Sequence, residues 1–189
     1  MITLSSANTA LILIDLQNGI TAFQTEPHSS QSVVARSREL ARRFRNAGAP
    51  VVLVNVSFSS DFADALNTPT DQPLEAPPGG FAEGWDELVE GLAALSDIRV
   101  TKRHWGAFYG TELDLQLRRR GVSTVVVAGI ATNLGVESTA RSAHEHGYAV
   151  VLVEDATTSF STEMHAFAFD HIFPRLGRIT TSQEMELVS

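Results

Sequence analysis

Thr124-Val125-Val126-Val127-Ala128-Gly129-Ile130-Ala131-Thr132-Asn133-Leu134-Gly135 changes character partway along. Its first five residues form an uninterrupted, β-branched apolar run, the pattern of a strand buried on both faces. After Gly129 the run gives way to a mixture of apolar, small and polar residues that leads directly into a helical pattern over Asn133 to His146, which stops before Gly147. A strand feeding a helix through so short a turn is the unit of a parallel α/β sheet. Asn133 or Thr132 is placed to cap that helix, and the amides around Gly135 are expected to point outward, where they could hold an anion or oxyanion.

The same unit recurs along the chain. Ala10 to Ile14, Val51 to Val56 and Ala149 to Val153 read as further buried strands, Ile98 to Lys102 as a weaker fifth, and Gly177 to Thr180 as a sixth at the edge. Helical patterns at Val33 to Asn46, before Gly48, and Glu112 to Arg120, before Gly121, lie between them. Alternating strands and helices call for right-handed crossovers and helices on both faces of the sheet. A short C-terminal helix is expected to open at Ser182, with Met185 and Leu187 facing inward. Ser57 to Gly84 contains Pro69, Pro73, Pro77, Pro78 and three glycines; a loop that long is expected to roof a pocket or to pack on a partner subunit.

With 189 residues, the chain is the size of one domain, and a single domain over 1–189 is expected. Twenty-two acidic against 14 basic residues give a net charge of −8, which offers no footprint for nucleic acid. The one basic cluster, Arg118 to Arg120, sits where cations complement the carbonyl end of a helix. Apolar runs such as Val125 to Ala128 are far shorter than the roughly 20 residues of a membrane span, and no signal-like leader is evident, so a cytoplasmic location is expected. The chain has no cysteine, hence no disulfide, no thiolate metal site and no cysteine nucleophile.

In an open parallel sheet, ligands bind beyond the carboxyl ends of the strands, where neighbouring crossovers diverge. The first strand delivers Asp15 there, followed by Gln17; a carboxyl against a dry background has a raised pKa suited to acid–base work. Taken alone, Asp15 could as well hold a turn. Lys102 ends another strand, and a lysine so placed needs a partner, which makes Asp15 attractive; taken alone, it could be a surface lysine. Trp105, Phe108 and Tyr109 follow and could line an apolar cleft or simply pack. Glu137, Ser138 and Thr139 have ordinary helical explanations, a carboxylate suiting the first turn and hydroxyls bonding back to the preceding one. The six histidines offer no same-face helical pair at three- or four-residue spacing; His104 alone is near the site.

Three stretches carry a resemblance: Leu11 to Asn18, Thr101 to Thr111 and Gly129 to Arg141. In order and strand context they resemble the three signature blocks of the isochorismatase-like, or cysteine hydrolase, family. The resemblance implies a three-layer αβα fold with a six-stranded, mostly parallel, Rossmann-like sheet of order 3-2-1-4-5-6. In that family an aspartate, a lysine and a cysteine form a triad that attacks a carbonyl, and the matching positions are Asp15, Lys102 and Gly135. It also implies a cis peptide at Ile130-Ala131, a substrate site drawing on Gln17, Phe23, Trp105 and Phe108 and on Ile130, Ala131, Thr132 and Leu134, and a homodimer or homotetramer. The phenylalanines Phe160, Phe167, Phe169 and Phe173 could supply its interface or belong to the core.

Glycine cannot act as a nucleophile, so a covalent thioester-type intermediate is excluded. The nicotinamidase branch carries an Asp-x-His metal pair after its second strand; the corresponding Asn55-Val56-Ser57-Phe58-Ser59 has no histidine, and no catalytic metal or cofactor is expected. True isochorismatases are similar to this chain in having glycine at the cysteine position. They cleave a vinyl ether, which needs a proton on the enol carbon and a water, and no nucleophile. Some of them carry Tyr-Ala-His where this chain has Ala131-Thr132-Asn133, so isochorismate is one candidate among several. The expected function is cysteine-independent hydrolysis of a small metabolite, with Asp15 as general acid/base tuned by Lys102; the alternative is an inactive relative serving as a binding or structural protein.

Overall fold

A computed structural model describes residues 1–73 and 77–189; the part of the Pro-rich loop at 74–76 lies outside the described residues. Among them are eight strands: β1 (Ile2–Ser5), β2 (Thr9–Ile14), β3 (Val51–Val56), β4 (Ile98–Lys102), β5 (Thr124–Ile130), β6 (Ala149–Thr158), β7 (Arg178–Thr180) and β8 (Met185–Val188). The helices are α1 (Asn18–Thr21), α2 (Ser30–Asn46), α3 (Leu113–Arg119), α4 (Glu137–Glu145), α5 (Thr162–Phe167) and α6 (Phe173–Leu176).

Strands β2 to β7 form one sheet, parallel throughout, in the order β4-β3-β2-β5-β6-β7. Numbered within the sheet, this is 3-2-1-4-5-6. Side chains alternate across each strand, so Ile12, Ile14, Val125 and Val127 face a core shared with Leu113, Leu117, Ala140 and Phe173. Leu11, Leu13, Val126 and Ala128 face the other core, with Leu40 and Phe44 of α2. The helices therefore cover both faces, and the crossovers from β2 and β5 leave in opposite directions. A crevice opens between these two central strands at their carboxyl ends.

The C-terminal expectation is corrected. Residues Met185–Val188 form a strand that pairs in parallel with β1, not a helix. Met185 is buried, Glu186 exposed, Leu187 half-buried and Val188 exposed, a period of two that suits a strand at the margin of the core. Ser182 does not cap a helix: its amide and hydroxyl both donate to the carboxylate of Asp155, at 2.7 and 2.6 Å.

The helix after β5 also differs from expectation. Thr132–Val136 is a π-helical turn that α4 continues, and neither Thr132 nor Asn133 caps it. The Thr132 hydroxyl pairs with His165 Nδ1 at 2.8 Å, and Asn133 accepts from Ser159 at 2.6 Å. Strands β5 and β6 outrun their apolar stretches, because backbone pairing continues through Gly129–Thr157 and Ile130–Thr158 past a register shift. Gly129 makes this possible: its φ is +120°, and a Cβ there would lie 2.2 Å from the carbonyl oxygen of Ile14. Phe169 and Phe173 belong to the core, stacked edge-to-face at 4.8 Å, whereas Phe160 and Phe167 are exposed.

Candidate active site

Asp15 follows β2 directly and adopts φ +51°. Aspartate tolerates this left-handed conformation better than most residues. Its amide donates to the carbonyl of Val54 on β3 at 2.9 Å, while the carboxylate crosses the strand ends to Lys102, the last residue of β4. Lys102 Nζ donates to Asp15 Oδ2 at 2.7 Å and to the carbonyl of His104 at 3.0 Å. Both side chains are buried, with residue exposures of 6% for Asp15 and 2% for Lys102. Asp15 Oδ1 is buried without a hydrogen-bond partner among the described residues. Burial pushes the Asp15 carboxyl up to about 6, against the opposing pull of the Lys102 ammonium and its hydrogen bond.

Gly135 stands opposite the pair. A Cβ built on it would meet Ile14 Cγ2 at 2.9 Å, Asp15 Oδ2 at 3.2 Å and the Trp105 carbonyl oxygen at 3.3 Å. The carboxylate, the ammonium and the nucleophile-free turn thus converge, as the three stretches of sequence led us to expect. The peptide bond between Ile130 and Ala131, which leads into this turn, is cis. The amides here are less free than anticipated, because those of Leu134 and Val136 both donate to the Ala131 carbonyl, at 3.2 Å each.

A cavity of about 530 Å³ opens above the pair, with Asp15, Lys102 and Gly135 in its lining. Five of the anticipated substrate residues line it as well: Phe23, Trp105, Ile130, Ala131 and Leu134. The other three do not. Gln17 is buried, and its amide accepts from the Val56 amide at 2.8 Å and donates to the Val56 carbonyl at 3.0 Å, locking β2 to β3. Phe108 packs in the core against His146 and Tyr148, and Thr132 is turned away toward His165. Each occupies the right stretch of chain but faces the interior.

The Pro-rich loop roofs the cavity, as its length implied. Phe58, Phe62 and Phe81 stack on one another, and Phe81 lies on Trp85 with ring centroids 3.9 Å apart. Trp85 in turn packs directly against Gly19 of α1, where a Cβ would be only 2.0 Å from the indole. Phe58, Phe81, Trp85 and Phe160 are lining residues that the sequence reading missed. Aromatic spacing in an irregular loop gives no periodic signal, so only the closed structure shows that they share a wall. The Thr139 hydroxyl bonds back to the preceding turn as expected: Thr139 Oγ1 donates to the Gly135 carbonyl at 2.7 Å and accepts from the Ala107 amide at 3.1 Å. Glu137 pairs with Arg141 one turn on.

The stretch after β3 is a poor fit to a metal pair. Asn55 donates to the Asp86 carbonyl and accepts from Thr101, and the Ser57 hydroxyl donates to the Asp86 carboxylate. An amide and a hydroxyl so committed do not replace a carboxylate and an imidazole. No helix among the described residues is long and apolar enough to cross a membrane.

Comparison with known proteins agrees with this geometry. The profile of the isochorismatase domain matches residues 9–184. The chain is 48% identical over 186 residues to the uncharacterised isochorismatase family protein YecD of Escherichia coli O157:H7, covering 98% of each chain. It is 31% identical over 180 residues to the ureidoacrylate amidohydrolase RutB of Stutzerimonas stutzeri (strain A1501), covering 82% of this chain and 72% of that one. The solved structure of an isochorismatase family protein from Burkholderia thailandensis superposes with a TM-score of 0.89 at 45% identity, covering 97% of this chain and 95% of that one.

Proposed function

The chain belongs to the isochorismatase family of hydrolases, and on that premise we propose that it hydrolyses a small cyclic metabolite with no covalent enzyme intermediate, using Asp15 to carry the proton. One observation carries the proposal: the buried Asp15–Lys102 contact of 2.7 Å lies in the lining of an open cavity, facing glycine where a nucleophile would stand. A carboxyl held near 6 is partly protonated at neutral pH, the condition under which proton donation and acceptance are both effective.

For a vinyl ether, protonated Asp15 delivers its proton to the enol carbon, forming a C–H bond and leaving an oxocarbenium ion. A water adds to that cation and loses a proton to the Asp15 carboxylate. Breakage of the C–O bond in the resulting hemiketal releases a ketone and an alcohol. Lys102 acts as a positioning residue, holding Oδ2 so that Asp15 stays oriented toward the cavity.

The walls favour a flat, weakly charged substrate. Phe58, Phe81, Trp85, Trp105 and Phe160 supply aromatic surface. The cations of the lining are already engaged, Lys102 by Asp15 and Arg103 by Asp64. A substrate with two carboxylates would therefore meet few free charges, which supports a cyclic ether, amide or imide over a dianion. Screening such compounds tests the proposal: turnover that Asp15→Asn leaves undiminished would remove Asp15 from the mechanism. The alternative, an inactive binding or structural protein, calls for a cavity filled by side chains, and the open volume supports the enzyme.

Gly135→Cys gives a separate check. The new Cβ must displace Ile14 Cγ2 and press on Asp15 Oδ2, so native activity is expected to fall, while the thiol beside Lys102 gains a lowered pKa. Iodoacetamide should alkylate it faster than a free thiol at neutral pH; an ordinary rate would show that the position is misassigned. The exposed pair Phe23 and Phe160, which meet edge-to-face with ring centroids 5.7 Å apart in the cavity lining, supports the proposed homodimer or homotetramer, in which a second copy covers them, and sedimentation velocity measures the stoichiometry.

A further inference from the structure

Away from the cavity, three ligand-type side chains from separate parts of the chain meet. His28 Nε2 lies 2.9 Å from Glu154 Oε1, and His165 Nε2 lies 3.0 Å from the same oxygen. All the ligand atoms are within 4.8 Å of one another. None of the three residues lines the cavity. The sequence gives no hint of the cluster: His28 precedes α2, Glu154 sits within β6, and His165 lies on α5, so no helical spacing relates them.

We propose that His28, Glu154 and His165 form a binding site for one divalent transition-metal cation of the zinc type, which clamps the segment before α2 to β6 and α5. The donor set of two imidazoles and one carboxylate suits such a cation rather than magnesium or calcium, which prefer all-oxygen shells. Four-coordinate zinc with bonds of about 2.0–2.1 Å places its ligand atoms about 3.3 Å apart. The two contacts to Glu154, at 2.9 and 3.0 Å, need to widen by a few tenths of an ångström to admit it, with the two imidazole nitrogens, within 4.8 Å of each other, settling to a similar spacing.

The ligands are also held as metal ligands usually are. His28 is fixed through its backbone: its carbonyl accepts from Thr158 Oγ1 at 2.7 Å and Thr25 Oγ1 at 2.9 Å, and Glu26 exchanges two backbone hydrogen bonds with Ser159. His165 has its other ring nitrogen, Nδ1, on the Thr132 hydroxyl at 2.8 Å. That hydroxyl can accept as well as donate, so it can hold the tautomer that presents the Nε2 lone pair inward. The side chains of His28 and Glu154 are 24% and 34% exposed, that of His165 only 4%. One side therefore faces solvent, giving a route for the ion and a place for a water as fourth ligand. Thr132 directly follows Ala131 of the cavity wall, so an ion here would stiffen the wall from behind without touching the Asp15–Lys102 pair.

The test needs no substrate. Protein freed of metal with a chelator is titrated with zinc sulfate by calorimetry, and with cobalt(II) by visible absorption. One equivalent per chain is expected, with the intense bands of four-coordinate cobalt. Glu154→Gln and, as a second variant at the more exposed of the two histidines, His28→Gln should each weaken zinc binding by more than about 100-fold, beyond the 10–100-fold that losing an outer-shell partner costs. His144→Gln, a surface control, should bind as the unaltered protein does. Absence of zinc binding would show a hydrogen-bonded triad only and overturn the proposal. Binding that Glu154→Gln and His28→Gln leave within threefold would place the metal elsewhere and overturn it equally.

Discussion

Asp15→Asn is expected to lower kcat/KM for any substrate the protein turns over by about 10²–10⁴-fold, the contribution typical of a positioned general acid or base. Asparagine keeps the shape of the side chain and a carbonyl oxygen for Lys102, so the loss measures proton transfer more than packing. The pH dependence fixes the direction of that transfer. If protonated Asp15 starts the reaction, kcat/KM is level below about 6, the pKa to which burial raises it, and falls roughly tenfold per pH step above it. A rate that climbs through the same region would make Asp15 the base. In Asp15→Asn the limb should vanish altogether.

Lys102→Met is expected to destabilise the fold by about 3–5 kcal/mol, because it strands a buried carboxylate without its counter-ion. Replacing both members, Asp15→Asn with Lys102→Met, should recover most of that loss, since no charge is then left buried without a partner and asparagine still tolerates the left-handed turn. Urea unfolding of the two variants measures both effects. A double variant that is stable but inactive would separate what the pair does for chemistry from what it does for folding. Were the double variant as unstable as the single one, the pair would be a structural element first. Stability should also follow pH with a definite sign. Below about 4 both folded and unfolded chains keep the Asp15 proton; as pH rises toward about 6 the unfolded chain releases it while the folded chain still holds it, so stability falls across that window.

The central sheet could be read from its apolar runs because strands buried on both faces leave a continuous signal, which β2, β3, β5 and β6 carry, while β4 alternates buried with exposed residues and β7 is mostly exposed, as suits strands at the sheet's edges. The crevice followed from topology, and the meeting of Asp15 with Lys102 followed from the need of a buried lysine for an anion. What escaped the sequence reading is what depends on facing. Gln17, Phe108 and Thr132 lie within three residues of the cavity wall along the chain yet point inward, and for Gln17 and Thr132 the left-handed turn at Asp15 and the π-helical turn at Thr132–Val136 break the regular periods from which facing is inferred. The aromatic roof and the His28–Glu154–His165 cluster were invisible for a related reason: their members come from distant segments that only the completed fold brings together. The C-terminal strand was misread because Ser182 has the chemistry of a helix cap, and its true partner, Asp155, is 27 residues away.

The account rests on a carboxyl poised near neutrality by burial at the floor of the cavity. Titration of the protein labelled with ¹³C at the aspartate carboxyl carbons, followed by NMR, observes that group directly. One aspartate resonance should titrate with a midpoint of about 6 and be missing from the spectrum of Asp15→Asn. If every aspartate carboxyl titrates in the ordinary range near 4, Asp15 is a plain counter-ion to Lys102, and the proposed proton transfer has no donor.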